Sequence, residues 1–279
     1  MAMNQTDIIT SPHNSRLKEL RRLRRRRERE RAGRFIAEGE DLVAAAHRAG
    51  RTAVEGYRAA GANSGEGETD ASHTDLIPAT QNFVEVEPAV LAEVSSLGSG
   101  TRTIGVYEQR FLDAPAGPLC VYLHGVSDPG NVGTILRSAE AFGASCVALG
   151  PGCADPHSPK AVRASMGAIF GVPLARAATI RELPGERVAL VAHTGLALSD
   201  LKVEQPLTLL IGAEREGLPE DVVSGCTHTA HIPIRSESLN AAMAATIGLY
   251  EMSDWGRIGG RPPRLAGLRP AAPPSRVHF

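Results

Sequence analysis

Beyond residue 118, short apolar runs alternate with stretches of helical spacing, and this pattern constrains the fold more than any other feature of the chain. The runs at 119–124, 146–150, 188–193, 207–211 and 229–234 are five or six residues long, the length of buried strands. Strands separated by helices imply an α/β domain with a mostly parallel sheet. A chain of 279 residues leaves room for a second unit. Asp113-Ala-Pro-Ala-Gly-Pro118 reads as the linker, which places an N-terminal domain at 1–113 and the α/β domain at 118–255. Residues 256–279, rich in Gly, Pro and Arg and without period, read as a disordered tail; 61–75 read as a polar loop.

The N-terminal domain carries an uneven charge. Residues 16–34 hold eleven Arg or Lys against three Glu, while the whole chain has a formal net charge of -1. Leu17, Leu20 and Leu23 form a narrow apolar stripe on this otherwise basic helix, which can dock by one edge and show the rest to a polyanion. A short strand at 35–37 and a helix at 40–49, stopped by Gly50, follow, with further strand and helix signals from Phe83 to Tyr107. Hydrophobic residues at 42% and charged residues at 22% exclude a disordered or collagen-like chain. No apolar stretch reaches the roughly 18–20 residues of a membrane span, and residues 1–15 lack a signal-peptide core, so the cytoplasm is the expected compartment. Cys120, Cys146, Cys153 and Cys226 form no C-x-x-C pair and read as reduced, buried thiols.

Three segments are candidates for chemistry. Residues 125–137 form a strand-to-helix turn in which Asn131 serves as a helix cap or a functional amide, and Arg137 as a solvated helix arginine or a ligand. Residues 211–219 place Glu214 between Gly212 and Gly217 at the carboxyl end of a strand, where α/β sheets bind ligands; the competing reading is a tight turn with exposed acids. Residues 232–240 lead into a helix bearing Leu239, Met243, Ile247 and Tyr250, with Ser236 or Ser238 as expected cap. Its alanines and Gly248 leave it narrow enough for close packing in the core or across a subunit boundary. Asn240 is a poor helix former there, which leaves its side chain free for another task or for the local backbone. Neither G-x-G-x-x-G nor a phosphate loop occurs. His228 and His231 point to opposite faces of a strand, so a metal pair is not expected, and Ser165 lacks the surroundings of a nucleophile.

Taken in order, Asn131-x-Gly-x-x-x-Arg137, Ser165-Met-Gly-Ala168, Gly212-x-Glu-x-x-Gly217 and Ser238-Leu-Asn240 resemble the SpoU (TrmH-like) family of the SPOUT superfamily, AdoMet-dependent RNA ribose 2′-O-methyltransferases. Ser11-Pro-His-Asn14, Lys18 and Phe35-Ile-Ala-Glu-Gly39 resemble that family's substrate-binding domain. The resemblance implies a trefoil-knotted C-terminal α/β domain beside a smaller N-terminal α/β domain, working as a homodimer with S-adenosyl-L-methionine as cofactor and no metal. It implies a catalytic group of Asn131, Arg137, Glu214, Ser238 and Asn240. The cofactor would be held by Thr194, Gly195, Ile211, Gly212, Gly217, Ile232, Ser238 and Leu239. Ala213 and Ile234-Arg235 depart from the residues usual at their positions.

The implied reaction is methyl transfer to a ribose 2′-hydroxyl, in 23S ribosomal RNA ahead of transfer RNA because of the separate N-terminal domain; a non-catalytic RNA-binding factor of the same fold is the competing class. A guanidinium is a poor base, so Arg137 is read as binding phosphate and favouring the developing alkoxide. Arg21, Arg22, Arg24, Arg25 and Arg34 are then expected to contact RNA phosphates with strong salt dependence.

Overall fold

The computed structural model describes residues 8–61, 83–97 and 100–253. Most of the predicted 61–75 loop and the predicted 256–279 tail lie outside them. The N-terminal part runs α1 (Ser15–Arg22), α2 (Arg26–Ala32), β1 (Arg34–Glu38), α3 (Glu40–Arg48), β2 (Glu55–Ala59), β3 (Phe83–Val86), α4 (Pro88–Val94) and β4 (Thr103–Glu108). Its four strands form a mixed sheet in the order β1-β4-β2-β3. Leu17, Leu20 and Leu23 pack with Ile36, Tyr57, Leu91 and Ile104 in one cluster, so the leucine stripe docks the basic segment as expected.

That segment is two helices rather than one. The chain turns at Leu23–Arg25, and the guanidinium of Arg29, 3% exposed, donates to the carbonyls of Leu23 and Arg24 at 2.9 and 2.7 Å. These carbonyls have lost the helical partners that continuation would supply, and the buried Arg29 caps them.

The second part contains β5 (Leu119–Leu123), α5 (Pro129–Ala141), β6 (Cys146–Leu149), α6 (Pro159–Ala164), α7 (Ala168–Gly171), β7 (Leu174–Arg176), β8 (Glu186–Val191), β9 (Leu196–Ala197), β10 (Leu207–Ile211), α8 (Glu220–Ser224), β11 (His228–His231) and α9 (Ala241–Met252). Seven strands lie in the order β7-β6-β5-β10-β8-β11-β9, every pairing parallel. The five strands expected here are present. The sequence pattern did not give β7 and β9, which have three and two residues, nor the short helices α6, α7 and α8.

Two caps differ from expectation. Asp128, not Asn131, caps α5, its Oδ1 accepting from the amides of Gly130 and Asn131 at 2.7 and 3.1 Å, with Pro129 as the first helical residue. Asn240, not Ser236 or Ser238, caps α9 through Oδ1, which accepts from Ala242 and Met243. Among the cysteines, Cys120 and Cys146 are buried as expected, but Cys153 and Cys226 are only partly covered; all four are free thiols. Among the described residues no helix is long and apolar enough to cross a membrane.

Candidate active site

The strand order sets up the site. β5 and β10 are neighbours, with Leu123 beside Ile211, and the sheet grows outward from them in both directions. Loops leaving the carboxyl ends of two such strands diverge and leave a crevice. The β5 loop delivers Asn131 in the first turn of α5, and the β10 loop delivers Glu214.

The two side chains meet: Asn131 Nδ2 donates to Glu214 Oε1 at 2.5 Å. Asn240 completes the chain from the start of α9, its Nδ2 donating to Asn131 Oδ1 at 3.1 Å while its Oδ1 caps the helix. Three segments that lie 83 and 109 residues from Asn131 or at it thus form one relay of defined donor direction. The second carboxylate oxygen of Glu214 has no partner among the described residues.

Beside this relay lies an apolar cleft of about 150 Å³ between the ends of β8, β10 and β11. Leu190, Ile211, Ile232, Ile234 and Leu239 line it together with Ala192, Gly212, Ala213 and Gly217, and Glu214 is the only carboxylate in its wall. It shares Ala192, Ile232 and Ile234 with an adjoining hollow of about 460 Å³ that reaches His231 and Arg235. Apolar side chains flanked by backbone groups at strand ends fit an adenosyl moiety, a flat ring with polar edges.

Of the residues predicted for the cofactor, Ile211, Gly212, Gly217, Ile232, Ser238 and Leu239 line the cleft. Thr194 and Gly195 do not; they lie on the exposed turn after β8, where a Cβ at Gly195 would sit 2.1 Å from the Thr229 carbonyl. Its glycine is explained by strand packing. Gly212 is likewise demanded by the protein itself, because a Cβ there would come within 2.2 Å of the Gly217 backbone as the loop folds back on Ala213.

Ser238 lines the cleft, whereas Arg137 does not. Arg137 lies on the exposed flank of α5 with no side-chain partner among the described residues. The arm arginines divide in two. Arg21 is held by the Pro12 carbonyl and Glu93, and Arg24 by the Val94 carbonyl, which ties both guanidiniums into the fold; Arg22, Arg25 and Arg34 have no side-chain partner among the described residues. Ser165 is fully buried, its hydroxyl donating to the Val162 carbonyl, in keeping with a structural role.

Two features of the fold have no trace in the sequence pattern. Asp128 holds Lys160 at 2.6 Å, and that hydrogen bond, with the amides at the start of α5, keeps its carboxyl below the usual range. The second is Arg29, whose guanidinium binds Asp155 at 2.6 Å with both side chains almost wholly buried, joining α2 to the loop after β6. Neither has a local sequence signature, since each pair is formed only by folding.

Residues 118–250 match the SpoU rRNA Methylase family and residues 14–104 the MRM3-like substrate binding domain. An rRNA methyltransferase from Sinorhizobium meliloti of solved structure is 31% identical, with 89% of this chain and 97% of that one covered and a TM-score of 0.74. The SpoU methyltransferase AviRb from Streptomyces viridochromogenes, solved in complex with AdoMet, is 29% identical over 89% of this chain and 100% of its own, with a TM-score of 0.75. The 23S rRNA (guanosine(2553)-2′-O)-methyltransferase RlmP of Bacillus subtilis is 27% identical over 88% of this chain and 98% of its own.

Proposed function

The chain belongs to the SpoU rRNA Methylase family, and from that premise we propose that it transfers the methyl group of AdoMet to a ribose 2′-hydroxyl of ribosomal RNA, 23S RNA foremost. The observation that carries the reading is the Glu214–Asn131–Asn240 relay, whose Glu214 lines the apolar cleft. RlmP and AviRb support the ribose and cofactor assignments by similarity. The RNA substrate puts the working compartment in the cytoplasm.

AdoMet supplies a sulfonium-activated methyl, so the protein's task is alignment and removal of one proton. Ile211, Ile232 and Leu239 hold the adenosyl group by apolar contact, with backbone groups of the same loops meeting its polar edges. Glu214 and Asn240 lock the Asn131 amide, leaving one of its N–H groups to orient the ribose. The free carboxylate oxygen of Glu214 accepts the hydroxyl's hydrogen bond and takes up its proton. Ser238 adds a hydroxyl at the same wall. Arg137 binds the phosphate flanking the reacting ribose through its guanidinium.

A homodimer accompanies this reading. Met243, Ile247 and Tyr250 stand exposed on α9 at 61, 37 and 47%, while its small residues Ala241, Ala245 and Gly248 pack inward. Large apolar side chains turned outward on one helix are the composition of a subunit interface. Sedimentation equilibrium is expected to give a dimer that Ile247→Glu converts to monomer.

Incubation of the protein with methyl-labelled AdoMet and separated ribosomal and transfer RNAs, followed by mapping of the modified nucleotide, tests the function. Label at one 2′-oxygen of 23S RNA is expected, and Asn131→Ala is expected to lower turnover on the order of a hundredfold. Label on transfer RNA alone would reassign the substrate. AdoMet binding without transfer to either RNA would mark a binding factor.

A further inference from the structure

A second cavity lies away from the relay, where the two domains meet. It has a volume of about 540 Å³ and is lined by Phe35, Phe111, Phe170, His157, Arg51 and Arg110 among others, with no carboxylate in its wall. Three of the chain's six phenylalanines gather here. Phe111 is the least buried of them: its ring stands edge-on to His157 at 5.4 Å, and the Arg176 guanidinium lies over it at 4.5 Å.

Arg51 and Arg110 are the charged residues of the wall, with Glu140 and Asp155 set behind it against Gly171 and His157. Arg110 is exposed and has no side-chain partner among the described residues; Arg51 donates only to the Glu108 carbonyl oxygen, and the nearness of Arg110 helps hold its pKa below the ordinary value, after burial. Glu108 is the acid whose charge acts on Arg51. By contrast, the cleft beside α1 and α2 sets Arg22, Arg31 and Arg34 against Glu19, Glu28 and Glu55, so its charges balance internally. Aromatic faces beside guanidiniums that no carboxylate holds are the features that bind single-stranded nucleic acid, the rings meeting bases and the cations meeting phosphates.

We propose that this interdomain cavity holds an unpaired nucleotide of the substrate RNA, with its base against Phe111 and its phosphate between Arg51 and Arg110. This deepens the RNA-methylating reading and rests on it for the substrate. The site meets the amino end of β7, the strand at the sheet edge three strands from β10, whose carboxyl end carries Glu214. The nucleotide it takes is therefore a different one from the methylated nucleotide and selects the target without reacting.

The test compares the full chain with Arg110→Glu, Phe111→Leu and, as a charge-matched control, Arg181→Glu, using a fluorescent single-stranded 20-nucleotide oligouridylate and deproteinised ribosomal RNA. Arg110→Glu and Phe111→Leu are each expected to weaken RNA binding roughly tenfold and to leave AdoMet affinity at the control's value, with the melting temperature unchanged in Arg110→Glu. Ultraviolet crosslinking of 4-thiouridine-substituted RNA is expected to label the peptide containing Phe111. RNA affinities equal to the control in both variants, with no crosslink there, would overturn the assignment while leaving methyl transfer intact. If the variants lose RNA affinity and the crosslink forms, but the unaltered protein methylates no RNA, the cavity assignment stands and the proposed activity falls.

Discussion

Asn240 serves two partners with one amide: its oxygen caps α9 and its nitrogen holds Asn131. A serine cap could accept the helix amides but could not reach out with a fixed second donor, which is the reason the expected Ser236 or Ser238 is passed over. The two roles separate experimentally. Asn240→Asp keeps the acceptor and adds a charge that suits a helix N-terminus, so its melting temperature is expected to match the parent; methyl transfer is expected to fall tenfold or more, because the donor to Asn131 is lost. Asn240→Ala is expected to lose that activity and also about 1 kcal/mol of stability. Thermal melts beside initial rates distinguish the variants, and a fully active Asn240→Asp would remove Asn240 from the relay. The oddity of an asparagine at this position was legible in the sequence. Its partners were not, because they lie 109 and 2 residues away and only one is local.

At the scale of elements, glycines in the motifs prove to be packing devices. A Cβ on Gly133 would sit 2.3 Å from the Ala161 carbonyl and 2.7 Å from Ala164, so its absence is what lets α5 lie directly on α6. Gly133→Ala has to push backbone apart and is expected to cost about 1–3 kcal/mol in urea unfolding, with α5 and its Asn131 displaced from Glu214. A variant as stable and active as the parent would show that the helices slide apart freely. The strands of the second sheet were legible because each is a compact apolar run, and the helices at 40–49 and after Asn240 because their spacing is regular. The break between α1 and α2 was not: it depends on Arg29 folding back onto two carbonyls and across to Asp155, while the local sequence is an uninterrupted run of good helix formers.

At the scale of the molecule, the two domains are joined by groups that belong to neither alone. Arg29 and Asp155 pair across the junction, and next to them His157 is packed against Phe35 and Phe111, 2% exposed, with Nδ1 buried without a hydrogen bond, 3.8 Å from Asp155 Oδ1. Burial pushes its pKa down to about 4; Arg29, Arg176 and Arg51 push the same way, against Asp155. In the unfolded chain it titrates near 6.5. Its contribution is therefore complete above about pH 6.5 and is lost as pH falls toward about 4, since the unfolded state takes the proton first; the full loss is about 3 kcal/mol. His157→Gln is expected to flatten that part of the stability profile between pH 6.5 and 4, measured by urea unfolding. Parallel profiles for the two proteins would mean that the imidazole does not titrate differently in the folded state.

The sequence by itself determined the parallel α/β order, the docking of the leucine stripe, and the segments from which the site is drawn, because periodicity, apolar run length and motif spacing are local properties. Tertiary structure decided which of those residues act together. Strand neighbours β5 and β10 bring Asn131 to Glu214, α9 brings Asn240, and Arg137 is left outside the cleft on the exposed flank of α5. It also took Arg21, Arg24 and Arg29 from the basic segment for the fold itself. A guanidinium reads the same in sequence whether it faces a phosphate or a carbonyl; only the packed chain fixes which is within reach.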